Sequence, residues 1–234
     1  MKVAVVTPFY RTPPDWLAQC HASVRAQSHP CTHVLVSDGS GAHGLADFRG
    51  KFVELPLNHA DFGDTPRSAG AQAAIADGCD AVAWLDADNW FLPRHVETLL
   101  RRHHETGAAV CTSARMLHAL DGTLLGACDE VDGDRFADTN CMLWLRPALF
   151  LCAEWAAIPA PFHVVDDRWI WRLIRERGVP RAHSPLATVA YRTSWPHHYR
   201  KHGFEPPPGA KAEAAALRVD QARRELRDYL SARR

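Results

Sequence analysis

The sequence lacks a hydrophobic run long enough to cross a bilayer, which takes about 20 apolar residues. The apolar start from Val3 to Val6 stops at Pro8 and is too short for the core of a signal peptide. The best remaining candidate, Met142 to Ile158, is interrupted by Arg146 and Glu154. We therefore expect neither a signal peptide nor a membrane-spanning helix.

The sequence also lacks a CxxC pair, the spacing that is typical of zinc ribbons and redox-active disulfides. Its seven cysteines are scattered, and an odd number would leave one unpaired in a secreted disulfide framework. This pattern predicts reduced thiols and a cytoplasmic protein.

Net charge is absent, because 27 lysines and arginines balance 27 aspartates and glutamates. Such a chain has no global field that would draw it to nucleic acid or to an anionic membrane. Any anionic ligand must therefore be held by a local group of residues. The hydrophobic fraction of 47% is that of a globular protein with a sizeable core.

Short apolar runs rich in β-branched residues alternate with helical patterns along the first half of the chain. Strands are predicted at Val3 to Val6, Val34 to Val36, Phe52 to Leu55 and Ala81 to Leu85. Helices are predicted from Asp15, a plausible N-cap, to Ser28, and then over about 66–77, 93–105 and 166–178. The alternation predicts an α/β fold with a mostly parallel, Rossmann-like sheet and helices on both faces.

Polar residues follow three of the predicted strands directly. They are Thr7 with Pro8, Asp38 with Gly39, and the segment from Asp86 to Asp88. Ligands of open parallel sheets gather at the carboxyl ends of the strands. We therefore expect these three segments to lie at one edge of the sheet and to form a binding site.

The strongest local signal is the pair Asp86 and Asp88, two carboxylates that flank one small residue at the end of a buried strand. An exposed turn would explain such a pair equally simply. At a strand tip, however, this negative charge is costly to bury unless a cation offsets it. Mg²⁺ or Mn²⁺, which prefer oxygen ligands, would do so and would bridge to a diphosphate.

Four segments of the chain together resemble the inverting GT-A glycosyltransferases of the family 2 type. They are Val3 to Pro8, Val36 to Ser40, Thr65 to Gly70 and Ala83 to Asn89, and the resemblance extends over roughly residues 3–200. It implies a GT-A fold in which Thr7, Pro8, Asp38, Arg67 and Asp86 bind the nucleotide-sugar donor. It also implies that Asp88 binds the divalent cation.

The resemblance extends to Asp166 and Asp167, at the start of a predicted helix that ends near Gly178. Family members carry a Glu-Asp pair there, whose second acid is the general base that deprotonates the acceptor hydroxyl. The resemblance thus implies Asp167 as base with Asp166 in support, although Asp stands here in the first position. Aspartates are also favoured at ordinary helix N-termini, so helix capping is the competing interpretation.

Two further groups of candidates come from the same resemblance. A late histidine that binds the metal would be His198, with His197 as the neighbouring alternative. Asp138 and Asn140 are expected to contact sugar hydroxyl groups, although turn formation explains them as well. Trp84 is expected in the core of its strand.

The predicted reaction is metal-dependent transfer of a sugar, with inversion, from a nucleotide diphosphate sugar to an acceptor hydroxyl. A UDP-sugar is favoured as donor, and the acceptor is a saccharide or another hydroxyl compound. One alternative is a sugar nucleotidyltransferase, although the segment from Thr7 to Arg11 lacks the Gly-rich loop of those enzymes. The other is a noncatalytic nucleotide-sugar-binding protein of the same fold.

A Pro-rich segment from Pro206 to Gly209 suggests a boundary. We expect a glycosyltransferase-like domain over residues 1–205, followed by a linker and an amphipathic helix over 206–234. The apolar face of that helix would carry Val219, Ala222, Leu226 and Tyr229. Packing on its own domain and a weak contact with a membrane surface or a protein partner are the two interpretations of this tail.

Overall fold

The computed structural model describes residues 1–41, 44–45 and 48–231. Its nine strands are β1 (Val3–Phe9), β2 (Cys31–Asp38), β3 (Lys51–Leu55), β4 (Ala81–Trp84), β5 (Trp90–Phe91), β6 (Val110–His118), β7 (Leu124–Ala127), β8 (Met142–Leu145) and β9 (Arg181–Arg192). Its six α-helices are α1 (Pro14–Arg25), α2 (Asp64–Ala76), α3 (His95–Thr106), α4 (Asp166–Glu176), α5 (Pro196–Lys201) and α6 (Glu213–Ser231). Three 3₁₀ segments, Thr139–Cys141, Arg146–Ala157 and Ala160–Val165, lie between β7 and α4.

The described strands form one sheet in the order β3-β2-β1-β4-β8-β6-β9-β5, with β7 paired to β6. The strands β3, β2, β1 and β4 are parallel, as the sequence predicts. The sheet is mixed beyond them, because β8 runs antiparallel to both β4 and β6. The predicted α/β architecture is confirmed, and the antiparallel strand lies where the strand and helix alternation of the sequence ends.

Helices cover both faces of the sheet, and the alternation of side chains along β1 explains how. Ala4 and Val6 belong to one buried cluster, which includes residues of α2 and α4, whereas Val3 and Val5 belong to another, which includes residues of α1 and α3. Gly70 permits the close approach of α2, since a Cβ atom there would lie 2.6 Å from Val6 Cγ1.

The predicted helix start at Asp15 differs in detail from the structure. Pro13 occupies the N-cap of α1 and makes no side-chain capping bond, while Asp15 lies in the first turn. A proline at the first helical position, here Pro14, already has a suitable φ and has no N–H group that needs a partner. The predicted end at Gly178 agrees with the structure, in which this residue has a φ of +62° just after α4.

The antiparallel strand β8 brings a second part of the chain to the carboxyl end of β4. Ala81 pairs with Leu145 and Ala83 with Leu143, so the chain enters β8 at the edge where β4 ends. The residues before Met142 therefore lie beside the segment that follows Trp84. This topology brings 138–140 next to 86–88.

The C-terminal helix α6 packs on the main body. Val219, Ala222 and Leu226 are buried in the same cluster as α2 and α4, and Tyr229 packs against it. The ring of Tyr229 lies 5.4 Å from that of Phe162. These are the four residues expected on the apolar face, and they bear out the interpretation that the tail packs on its own domain. The proposed boundary near residue 206 stays a prediction.

Within the described residues, none of the helices has the length and apolar character that crossing a membrane requires.

Candidate active site

Arg67 lies at the centre of a group of acidic side chains. Its guanidinium donates to Asp86 Oδ1 at 2.6 Å and to Asp166 Oδ2 at 3.0 Å, and it lies 3.5 Å from Asp64 Oδ1. Its side chain is only 5% exposed and stacks over the Trp155 ring at 5.1 Å. A guanidinium that is buried this far needs carboxylate partners. Arg67 thus joins the first turn of α2 to the acidic motif and to the start of α4.

A second clamp holds Asp86 from the side of β8. Asn140 Nδ2 donates to Asp86 Oδ2 at 2.8 Å, and the Asp86 N–H donates to Asn140 Oδ1 at 2.7 Å. Asp138 in turn accepts from the Asn140 N–H at 2.9 Å and forms an ion pair with the buried Arg115. Asp86 is therefore held rigidly by an arginine and an amide.

Asp88 has different surroundings, although it lies only two residues further on. No lysine, arginine or histidine nitrogen in the described part of the chain lies within 4.0 Å of its carboxylate. Burial, and then the charge of Asp86, raise the pKa of Asp88 to about 7. Arg192 donates to the backbone carbonyl of Asp88 and so fixes the main chain, and its charge opposes the rise in the pKa of Asp88 only in part.

At the start of α4, Asp166 and Asp167 differ in the same way as Asp86 and Asp88. Asp166 pairs with Arg67, whereas Asp167 has no cationic nitrogen within 4.0 Å in the described ranges. Burial, followed by the charge of Asp166, raises the pKa of Asp167 to about 7. Val165 is the N-cap residue, so neither aspartate occupies the capping position, and both lie in the first helical turn.

Two cavities meet at these groups. The strand-end cavity, of about 620 Å³, is lined by residues at or just beyond the carboxyl ends of β1, β2 and β4, among them Pro8, Asp38 and Asp88. The Asp167 cavity, of about 510 Å³, includes Asp166 and Asp167 in its wall. Four residues line both cavities: Arg67, Asp86, Tyr191 and Lys211. A ligand in one cavity would thus meet a ligand in the other at the Arg67 and Asp86 ion pair.

The comparison with protein families decides the assignment of this chain. A model described as "Glycosyl transferase family 2" matches residues 4–172, which contain both acidic motifs. The chain belongs to glycosyl transferase family 2. No match is found among curated proteins.

Solved structures of S. aureus TarS are similar to this family 2 chain. The structure of TarS 1-349 in complex with UDP has a TM-score of 0.60 at 14% identity, over 86% of this chain and 63% of that one. The complex with UDP-GlcNAc has the same TM-score and identity, over 82% and 59% of the two chains. In a further structure of TarS, this chain covers 38% of the TarS chain. The chain thus spans less than two thirds of these TarS chains, and the likeness shows the GT-A fold.

The three predicted donor contacts near β1 and β2 have different positions in this family 2 chain. Pro8 and Asp38 line the strand-end cavity. The Asp38 carboxylate accepts from Asn58 Nδ2 at 2.7 Å and pairs with His59 Nδ1 at 2.6 Å. The Thr7 side chain does not line this cavity, because alternation along β1 points it inward, where its Oγ1 lies 2.9 Å from His33 Nε2.

The structure groups His198 with different residues from those expected. Its Nε2 lies 3.7 Å from Glu130 Oε1, and His197 Nε2 lies 3.3 Å from the same oxygen. The ligand atoms of these three residues all lie within 4.8 Å of one another. His198 lines the Asp167 cavity, whereas Asp88 lines the strand-end cavity. No sequence pattern predicts Glu130 in this group, because it lies in an irregular segment without a motif.

Lys211 and Tyr191 were missed as well. Both line the two cavities, and the Lys211 ammonium lies 3.8 Å from the centre of the Trp195 ring. Lys211 lies in the predicted tail and Tyr191 in the long strand β9, so neither follows a strand of the parallel half. In the sequence, only the helical spacing of apolar residues in the tail indicates that residues after 206 pack on the preceding domain.

Proposed function

We propose that this chain is a metal-dependent, inverting glycosyltransferase that moves a sugar from a nucleotide diphosphate sugar to an acceptor hydroxyl. One observation carries the proposal. Two half-buried carboxylates, Asp88 and Asp167, have no ion-pair partner among the described residues and line adjacent cavities that meet at Arg67 and Asp86. Direct displacement needs one group on the leaving diphosphate and another on the attacking hydroxyl, and these two sites divide those tasks.

A divalent cation fits the Asp88 side of this site. The carboxylate is half-buried beside a second acid, has no ion-pair partner within 4.0 Å among the described residues and offers the oxygen ligands that Mg²⁺ and Mn²⁺ prefer. We propose Asp88 as the protein ligand of that cation. When bound, the cation offsets negative charge on the leaving diphosphate. His198 stays a candidate ligand, now together with Glu130 and His197.

Asp167 is the proposed general base. Its carboxylate would take the proton of the acceptor hydroxyl as the hydroxyl oxygen attacks the anomeric carbon. The bond from that carbon to the diphosphate oxygen breaks, and its electron pair leaves with the nucleoside diphosphate. A single displacement of this kind inverts the anomeric configuration. A pKa near 7 suits the task, since a base is most effective when its pKa lies near the working pH.

Arg67 and Asn140 would position the acidic side chains and would not themselves take part in the reaction. Arg67 links Asp86 to Asp166, and Asn140 fixes both the main chain and the side chain of Asp86. Since displaced catalytic groups can cost orders of magnitude in rate, such clamps favour turnover. Direct contacts of Asp86, Asp138 and Asn140 with the donor sugar stay predictions.

A UDP-sugar is the donor that we favour. Two of the solved TarS structures, similar in fold, are complexes with UDP and UDP-GlcNAc. The strand-end cavity, with Pro8 and Asp38 in its wall, is the proposed nucleotide site. The acceptor would enter the Asp167 cavity. The seven free cysteines favour a reducing compartment such as the cytoplasm.

The test is release of nucleoside diphosphate from UDP-, GDP- and dTDP-sugars, with and without Mn²⁺, together with NMR of the anomeric configuration of the product. We expect release from one donor class, loss with a chelator, recovery with Mn²⁺ and an inverted product. A retained configuration would contradict the single displacement. Binding of a donor without any release would instead support the noncatalytic binding protein.

A further inference from the structure

A third cavity, here called the arginine cavity, lies between α4 and α6 and has a volume of about 580 Å³. Seven of its ten lining residues are arginines, and one, Glu176, is acidic. On α4 the arginines are Arg168, Arg172 and Arg175, whose spacing of four and three residues places them on one helical face. Arg223 and Arg227 of α6, four residues apart, complete the facing wall.

Local carboxylates neutralise only part of this charge. Arg172 pairs with Glu176 at 2.6 Å and Arg223 with Asp220 at 3.3 Å. Arg135 pairs with Asp132 at 2.8 Å, and Arg181 lies 4.0 Å from Asp134. For Arg168 and Arg175, no carboxylate oxygen of the described residues lies within 4.0 Å of a guanidinium nitrogen. The buried Arg223 Nε atom has no hydrogen-bond partner within the described part of the chain.

Like charges placed this closely on facing helices are unfavourable unless an anion offsets them. The protein has no net charge, so the cluster is a local feature and not part of a generally basic surface. Guanidinium groups bind carboxylate, phosphate and sulfate through paired N–H donors. The arginine cavity therefore has the chemistry of an oxyanion site.

The arginine cavity continues into the proposed acceptor site. Arg168 and Arg223 line both this cavity and the Asp167 cavity. Arg168 also follows the proposed base directly in α4, and its guanidinium stacks over the Phe136 ring at 4.2 Å. Because Arg168 and Arg223 line both cavities, a molecule with a hydroxyl group at Asp167 would lie directly beside two of these arginines.

We propose that the acceptor carries an oxyanion group, such as a phosphate, which binds in the arginine cavity while its hydroxyl group lies at Asp167. This inference rests on the proposed function for the role of Asp167, but the anion site itself does not. Each cavity has the size typical of a small-molecule site, about 300–1,000 Å³.

The first experiment is calorimetric titration with inorganic tripolyphosphate of protein saturated with UDP, so that the strand-end cavity is occupied. The test variant is the double substitution Arg172→Gln and Arg175→Gln, which changes only residues outside the Asp167 cavity. The matched control is Arg218→Gln with Arg224→Gln, two exposed arginines of α6. We expect the test variant to lose about tenfold or more in affinity, and the control less than about twofold.

Absence of tripolyphosphate binding, or equal losses in the test and control variants, would overturn the inference. Failure of UDP to bind would speak against the proposed function alone, because the same titrations can be compared on protein without nucleotide. Binding to phosphatidylglycerol vesicles without binding to tripolyphosphate would indicate a membrane surface instead and would also overturn it.

The second experiment assigns the anion to the acceptor. Sugar transfer from the donor is measured with pairs of acceptor sugars. The two members of a pair differ only in that one is neutral and the other is phosphorylated. We expect a higher kcat/KM for the phosphorylated form of each sugar. In the test variant, KM for the phosphorylated form should rise until this preference is lost. The rate of UDP release to water should be unchanged. Tripolyphosphate binding combined with transfer only to the neutral forms would contradict an anionic acceptor.

Discussion

The acidic motif after β4 and the acidic pair at the start of α4 have the same internal asymmetry. In each, one aspartate is bound by Arg67, namely Asp86 and Asp166, and the other, Asp88 or Asp167, has no ion pair in the described ranges. One buried arginine thus positions both motifs through their paired members. Under the proposed function, the unpaired members would bind the cation and take the proton, so neighbouring acids of one motif would have separate tasks.

The largest effect is expected from Asp167→Asn. An amide cannot take the acceptor proton, so kcat should fall by about 10²- to 10⁴-fold, while UDP affinity stays within about twofold. Steady-state turnover and calorimetric UDP titration measure the two quantities. Asp228→Asn, an exposed acid on α6, is the matched control. Equal turnover in the variant and the wild type would remove Asp167 from the chemistry.

The next largest effect is expected from substitution of Arg67, the ion-pair partner that the two motifs share. Arg67→Met keeps much of the side-chain volume but leaves Asp86 and Asp166 without their counter-charge. Loss of one member of a buried ion pair costs about 3–5 kcal/mol, so the free energy of unfolding should fall by about that amount in urea titrations. Arg94→Met, in which the exposed pair with Glu97 is broken, should change it by less than about 1 kcal/mol. Similar small losses in both variants would mean that Arg67 is not the link between the motifs.

A smaller loss is expected from Asn140→Ala, which removes the amide clamp on Asp86. The Asp86 N–H and one carboxylate oxygen lose their partners, and the cost should be about 1–3 kcal/mol of unfolding free energy. Thermal or urea unfolding would measure it. Turnover should fall mainly through kcat, because Asp86 is displaced while Asp88 and Asp167 are still present. An unchanged unfolding curve would show that Arg67 alone holds Asp86.

The last prediction concerns the pH dependence of kcat. Because the pKa of Asp167 is raised to about 7, its basic form is lost as the pH falls. At saturating Mn²⁺, kcat should drop about tenfold per pH unit below about 7 and should level off above it. A rate that stays constant down to pH 5 would mean that the base has an ordinary carboxylate pKa or is another group.

Sequence reasoning succeeded where the site depends on strand ends. Asp38, Asp86 and Asp88 each follow a strand of the parallel half, so local patterns predicted one shared edge. The ion pair between Arg67 and Asp166 joins residues 99 positions apart, and no local pattern contains that pairing. Its two members were inferred only through the family resemblance.

The remaining site residues depend on the mixed half of the sheet. Asn140 meets Asp86 only because β8 runs antiparallel, and Tyr191 reaches both cavities from β9. Strand direction is set by long-range pairing, which a single sequence does not display. Thr7 stays a predicted donor contact, although its side chain points inward, towards His33.

The most direct test of the division between paired and unpaired acids is a thermal-shift measurement with UDP, with and without Mn²⁺, on wild type, Asp88→Asn and Asp167→Asn. We predict a Mn²⁺-dependent rise in Tm for the wild type and for Asp167→Asn, and none for Asp88→Asn, because only Asp88 would hold the cation at the nucleotide. The same Mn²⁺-dependent rise in Asp88→Asn as in the wild type would contradict the assignment of the two aspartates.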